Sequence, residues 1–376
     1  MTQLTEHIDI HCESPEIEVW RYLDLLATPS GTESALRQVY GDGLGHKLLS
    51  DKVGDFAKCV RQAKEYFHAL QHVTMATAPV LCYYGMLSLA TSLAVFSERN
   101  LTLRGVPRAH GLCARGLDLC RDILDAACVS TKSGIFPLLA RQGIPDWCTV
   151  TEVAVADDPM TPQALIQPPV RRALSRTFTD SWASSVTLPH FTLREVVSRL
   201  PDLDQEVRAH PEAQRGLLYC DVLVRRQEGT QLASAMISVS SDDPVQLEAL
   251  SRMMAEDYPD FPKTEASSER RLYQTGAVAD PLAEPLPCIR DSTDGETYIV
   301  VPNDRSIPLM PEVLDWMIGA FLLASLARYF PQIWLGRPGA RPETILLSER
   351  FVRIARRRFP NLVLNSIYGR SLRFLR

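Results

Sequence analysis

An arginine and a histidine separated by five residues, Arg104-Gly-Val-Pro-Arg-Ala-His110, are the pair in this chain whose types and spacing could do chemistry. A histidine titrating near neutrality can take the proton from a ribose 2′-hydroxyl or deliver one to a leaving 5′-oxygen. An arginine can grip a phosphate through two parallel N–H groups and stabilise charge developing in the transition state. A substrate with a 2′-hydroxyl brings its own nucleophile, so such a site works without a catalytic serine, cysteine or metal cluster. Arg104 and His110 are therefore the candidate catalytic residues. The structural alternative has His110 capping or bracing a helix that starts at Gly111, with Arg104 solvated in the preceding loop.

The second concentration of candidate residues lies near the C-terminus. Ile333 to Arg376 holds ten arginines, no lysine and two acids (Glu343 and Glu349), a net charge of +8. The whole chain carries −5, which leaves −13 for the remainder. Arginines outnumber lysines 34 to six overall, so the clustering, not the choice of arginine, carries the information. Arg350, Arg353 and Arg357 share one side of an expected helix, with Arg356 and Arg358 beside them. These five are candidate nucleic-acid-binding residues, because guanidinium groups pair with phosphates in a fixed fork. Phe359, Tyr368 and Phe374 lie among them and could stack on bases. The alternative is ion pairing with the acidic remainder of the chain.

Two further patterns carry less. Glu65, His68 and His72 fall at i, i+3 and i+7 on one helical face, a partial ligand set for a divalent transition metal. A second carboxylate-and-histidine helix would be needed. None is evident in the sequence, so hydrogen bonding in the core or between helices is the better account, and no metal or cofactor is expected. Cys113 and Cys120, seven apart on one face of an expected helix, read as core residues.

The elements that must position these residues follow from composition and periodicity. With 376 residues, 45% hydrophobic and 23% charged, the chain is too apolar for disorder and long enough for a large core or two domains. Its start, MTQLTEHIDI, lacks a secretory pattern. Nine cysteines without a C-x-x-C spacing argue against a disulfide framework or zinc ribbon, and a reducing cytoplasm fits best. There is no Walker loop, G-x-G-x-x-G, G-x-S-x-G or H-E-x-x-H. The uncharged run Val73 to Phe96 is long enough to span a bilayer. Its Pro79, Gly85 and central Tyr83-Tyr84 favour a buried helix, so no membrane partner is expected.

Apolar periodicity predicts helices over Glu16–Leu26, Asp55–Val73, Pro79–Ser97 and Leu112–Cys128, two hairpins that suggest a four-helix bundle in residues 1–130. Residues 131–308 turn proline-rich with short β-rich runs. Leu217–Arg225 and Leu232–Val239 are expected to pair across a turn at Glu228-Gly229, Glu296–Pro302 is a third strand, and Leu193–Leu200 and Pro244–Asp257 are helices between them. In residues 309–376, Pro311–Phe330 and Glu343–Arg358 are expected as helices packing back on the bundle. The expected fold class is mainly α: a helical bundle from both chain ends with a small α+β insert.

Three segments, QAKEYFHAL…APVLCYYGMLSLATSL (Gln62 to Leu93), RAHGL (Arg108 to Leu112) and FLLASLARYFPQIW (Phe321 to Trp334), resemble the YaaC-like family of bacterial proteins. The resemblance covers both helical parts, and it implies a bacterial cytosolic setting without implying a reaction. The Arg104–His110 spacing also looks like the R-x4-6-H motif of HEPN ribonucleases, in which the motif acts in metal-independent RNA cleavage, usually across a dimer. Pro107 inside the spacing departs from that motif's continuous helical turn. The functional expectation is thus a HEPN-like RNA-directed protein, an endoribonuclease of bacterial defence or stress with RNA and a homodimer partner. The alternative is a non-catalytic binding or scaffold protein acting through a protein or nucleic-acid partner.

Overall fold

The computed structural model describes residues 2–155, 168–177, 189–227, 233–267, 269–276, 287–335 and 341–376. In chain order its helices are α1 (Pro15–Leu26), α2 (Pro29–Tyr40), α3 (His46–Leu70), α4 (Ala78–Ser97), α5 (Ile135–Arg141) and α6 (Leu193–Val197). They continue with α7 (Asp204–Ala209), α8 (Pro244–Asp257), α9 (Glu312–Tyr329), α10 (Pro331–Trp334) and α11 (Pro342–Tyr368). The chain divides into two compact units. One takes residues 9–144, 178–215 and 304–376, the other residues 1–8, 145–177 and 216–303.

The first unit is built around α4 and α9, both apolar nearly all round. Val313 to Leu326 of α9 is buried without a break, and α4 buries Cys82, Tyr83, Met86, Leu89, Leu93 and Phe96. Helices without a polar face belong at the centre of a bundle; the amphipathic α3 and α11 pack on them, and α1 lies against α3 and α11. Gly85 on α4 permits a close crossing: a Cβ there would stand 2.8 Å from the Phe67 ring of α3. Ala78–Ser97 is the one described helix long and apolar enough to cross a membrane, yet 67% of its most apolar window is buried inside the protein.

The expectation of a mainly α protein is overturned by a nine-stranded mixed sheet and two smaller sheets, which make this an α+β fold. In the second unit the large sheet runs Thr2–Thr5, Val170–Thr177, Pro145–Val155, Leu217–Gln227, Ala233–Ser240, Arg270–Gln274, Lys263–Ala266. Thr297–Val300 also pairs with Leu217–Gln227 and carries Ile289–Asp291 on its other side. Its parallel pairing joins Pro145–Val155 to Leu217–Gln227, with Thr151 opposite Leu223. Leu247, Leu250, Met253 and Met254 of α8 share one core with Leu218, Cys220, Ile237 and Val239 of the sheet. The two long strands and α8 lie where the sequence puts them, whereas the Glu228-Gly229 turn is outside the described residues.

The first unit departs from the expected helix over Leu112–Cys128 as well. That stretch is a strand (Leu112–Arg115), two 3₁₀ turns (Leu117–Leu119 and Ile123–Asp125) and a strand (Ala127–Ser130) that pairs back on the first. The apolar spacing there fits a helix, but Asp122 accepts from Leu124 N at 2.8 Å and its own N–H bonds Asp125, a local box that favours a short turn over a continuing helix. His190–Thr192 completes this three-stranded sheet, and Leu372–Leu375 pairs with Ile8–His11 in the other.

Candidate functional site

The loop between α4 and the strand at Leu112 is tied down at two places. Lys52 on α3, fully buried, donates from Nζ to the carbonyls of Val95, Glu98 (2.7 Å) and Leu101 (3.1 Å). A cation at the end of α4 meets its unpaired carbonyls and its negative dipole end, although burial still pulls this amine's pKa down to about 8. One turn later Asp55 accepts from Leu103 N at 2.9 Å and pairs with Lys58 at 3.0 Å. The loop then passes through exposed Arg104. It is caught again at its far end, where the carbonyls of Ala109, His110 and Gly111 accept from Ile135, Phe136 and Thr131 at 3.1, 3.1 and 2.9 Å. Gly111 takes φ +87°, and a Cβ there would lie 2.3 Å from Pro137, so glycine alone fits the turn that aims His110.

So held, His110 lines a cleft of about 340 Å³ with Tyr83 of α4 and with Phe321, Ser325, Arg328 and Tyr329 of α9. Its ring lies 5.5 Å from that of Tyr83 and 6.4 Å from those of Tyr84 and Phe321, between centroids. Arg328 donates to the Tyr84 hydroxyl at 2.9 Å and stands over the rings of Tyr84 and Tyr329 at 5.8 and 4.8 Å. Among the described residues, His110 Nδ1 and the Tyr83 hydroxyl are buried with no hydrogen-bond partner. Buried polar atoms without a partner are costly, and these two belong to side chains that line the cleft together with Arg328.

The electrostatics set the protonation states. Burial, and then the Arg328 charge, hold His110 below its usual pKa, which favours the neutral imidazole, a proton acceptor. Burial pushes the Tyr83 phenol up, so it keeps its proton and can donate. The cleft therefore offers a base, a hydrogen-bond donor and a guanidinium, the set that suits an anionic group with a hydroxyl to be deprotonated.

Of the two residues singled out by spacing, His110 lies in this cleft. Arg104 is exposed on the loop and is not among the residues that line it. The five arginines of α11 do not gather into one exposed patch. Arg350 faces Glu206 at 3.3 Å, Arg356 faces Glu16 at 2.6 Å, and Arg357 donates to the Phe374 carbonyl at 2.9 Å. Arg358 is buried in a two-pronged pair with Glu312 at 2.5 and 2.7 Å, where Trp316 also donates. Arg353 is exposed, without a hydrogen bond or ion pair among the described residues. Phe359 and Phe374 are core residues, and Tyr368 alone of the three aromatic candidates is exposed.

Glu65, His68 and His72 are all exposed rather than bonded in the core. The two imidazoles lie 5.2 Å apart, and no group able to hold a metal occurs among the described residues. Cys113 sits half-buried on the strand beside His110 and lines the cleft, while Cys120 is buried; they share no helix. Sequence reasoning missed Arg328. Its one signal was the Ala-Arg-Tyr-Phe-Pro run at the end of α9, which reads as an ordinary cation in a helix's last turn.

No curated protein and no solved structure matches the chain. The family model described as YaaC-like Protein matches residues 25–367, from the end of α1 to the last turn of α11, which takes in the loop, α4 and α9 that form the cleft. The chain belongs to the YaaC-like protein family.

Proposed function

We propose that this is a HEPN-like RNA-directed protein whose His110 cleft performs metal-independent acid–base chemistry on a phosphodiester, with Arg328 as the cation beside the histidine. The observation that carries this reading is the pair of unpartnered buried groups, His110 Nδ1 and the Tyr83 hydroxyl, in a cleft with Arg328. Neutral His110 takes the 2′-hydroxyl proton, and the 2′-oxygen bonds to phosphorus as the 5′-oxygen leaves. The leaving oxygen takes a proton from water, to which the imidazolium later returns its own. Arg328 holds the non-bridging oxygens, and Tyr83 donates to them. Arg104, outside the cleft, is free to contact the same strand or a second copy of the chain. Nine free cysteines suit a reducing bacterial cytoplasm, and a role in defence or stress is the setting this reading implies.

Incubation of single-stranded RNA with purified protein tests the proposal. Wild type is expected to leave 2′,3′-cyclic phosphate ends, and His110→Ala to lose about 10²–10⁴-fold in rate. Unchanged cleavage in His110→Ala, or cleavage of the all-deoxy strand, overturns it.

A second reading, a non-catalytic protein acting through a protein partner, is favoured by the groove of about 250 Å³ between α1 and α3. There Ile17, 69% exposed, lies beside Trp20 and Phe67, with Glu16, Asp24 and Lys64 also lining it. His110-dependent RNA cleavage would eliminate that reading.

A further inference from the structure

A second cleft, of about 400 Å³, runs beside the first, between α3, α4 and the loop that carries His110. Lys58, Gln62 and Tyr66 of α3, Tyr84, Ser88 and Thr91 of α4, and Arg108 of the loop supply its polar lining. None of its lining residues is acidic. Lys58 has one carboxylate partner, Asp55, at 3.0 Å, and that carboxylate also accepts from Leu103 N; Lys58 itself stays exposed. Arg108 is exposed and has no hydrogen bond or ion pair among the described residues.

The wall between the clefts is aromatic. Tyr66 and Tyr84 stack at 5.8 Å with their planes 27° apart, and Tyr84 in turn lies 6.4 Å from the His110 ring. Tyr84 also accepts the Arg328 hydrogen bond, so a side chain lining the second cleft is bonded to one lining the first. Each cleft thus sets cations beside aromatic rings: Lys58 and Arg108 with the tyrosine stack in one, Arg328 with Tyr83 and His110 in the other. A nucleic-acid strand presents the matching alternation of phosphate and base, and stacking on tyrosine is tolerant of which base is offered.

We infer that the groove lined by Lys58, Tyr66, Tyr84 and Arg108 is a subsite for the nucleotide next to the one held at His110. Lys58 and Arg108 take its phosphate, and the tyrosine pair takes its base. The inference rests on the reading of the His110 cleft as RNA-directed. It adds that the ligand is a single strand of at least two nucleotides, because a paired base has no free face for the tyrosines.

The test measures binding of a short 2′-O-methyl oligoribonucleotide, which cannot be cleaved at a 2′-hydroxyl, across a series of KCl concentrations. Both basic side chains are exposed, so Lys58→Ala/Arg108→Ala leaves the core intact. The double variant is expected to bind more weakly, with a log–log salt slope shallower by about 1.4 for two lost phosphate contacts on a single strand. Tyr66→Ala is expected to lose roughly five- to hundredfold in affinity with little change of slope, as loss of stacking without loss of charge predicts. Wild-type affinity and slope in the double variant, or no binding by wild type, overturns the inference. Turnover plays no part in this readout, so the two proposals fail separately. If His110→Ala still cleaves RNA while the double variant binds poorly, the catalytic reading falls and the groove stands. If His110→Ala is inactive while the double variant binds as wild type, the reverse holds.

Discussion

Two regions of the helix-rich unit concentrate positive charge, and they use it in opposite ways. Along α11, Arg350, Arg356 and Arg358 each face a carboxylate brought from another element: Glu206 of α7, Glu16 of α1 and Glu312 of α9. Around the His110 loop, Lys58 has a single acid partner and Arg108 has none, while Arg328 donates to a tyrosine. The region with the higher linear density of arginine therefore holds most of its charge in internal pairs, Arg353 excepted, and the sparser region leaves Arg108 and Arg328 without a carboxylate among the described residues. A run of like charges in a sequence says how much charge a segment brings. What it displays depends on the acids that folding sets against it, and this chain has −13 to set against +8.

The largest effect that can break the comparison is at Arg358. Its guanidinium and the Glu312 carboxylate are both nearly fully buried, with side-chain exposures of 8% and 2%. Removing one partner of such a pair strands the other charge, so Arg358→Ala should cost about 3–5 kcal/mol in denaturant-induced unfolding. A loss under 1 kcal/mol would mean that α11's charge is not structural, and the contrast between the regions would collapse. Arg328 should behave in the opposite sense. Being exposed at the end of α9, Arg328→Ala should change stability by no more than about 0.5 kcal/mol. RNA cleavage should nevertheless fall by about 10²-fold, the usual loss when one preorganised donor to a developing anion is removed. Equal losses of stability in the two variants would erase the distinction.

The same contrast explains what was legible in the sequence. The unbroken apolar run of α4 and the amphipathic stripe of α3 were readable because a packed helix repeats its buried positions at a fixed period. Of the large sheet, only the strands at Leu217–Gln227, Ala233–Ser240 and Thr297–Val300 were. Trp147, Cys148, Thr149 and Val150 are all buried in succession, and Val170–Thr177 carries three arginines in VRRALSRT, so neither strand alternates cleanly. Leu112–Cys128 has helical spacing but yields to turns around Asp122. At the site, although Gly111 turns into a strand where a helix start was expected, His110 was legible as a titratable group. Its partner was not: Arg104 is six positions away, yet the loop anchored by Lys52 and Asp55 exposes it to solvent. Arg328 is more than 200 positions away and is brought alongside by the packing of α9 on α4.

The smallest expected effect compares two histidines that fall on the two sides of this divide. Burial lowers the pKa of both His110 and His210. His210, buried, accepts from Glu212 N at 3.2 Å on Nδ1 and bonds the Thr344 hydroxyl through Nε2 at 2.8 Å, and Thr344 in turn donates to Asp122. Both its nitrogens are used, so its proton uptake on acidification is felt as stability. A histidine whose folded pKa lies below its unfolded value leaves the unfolded state binding more protons in that window. Stability should therefore rise with pH through the window and be lost as pH falls. His110 keeps Nδ1 unpartnered, so its titration should also appear in the rate. The acid limb of kcat/KM for RNA cleavage should lie below the ordinary histidine pKa, with activity falling as His110 is protonated. Arg328 is the second cause of the lowered value and its charge opposes protonation, so Arg328→Gln should move the acid limb to higher pH. Because burial is the larger cause and remains, the limb should stay below the ordinary value. His210→Asn should shift the pH dependence of unfolding and leave the position of the kinetic limb unchanged. A limb that follows His210 instead, or one that ignores the charge at residue 328, would remove His110 from the role of base.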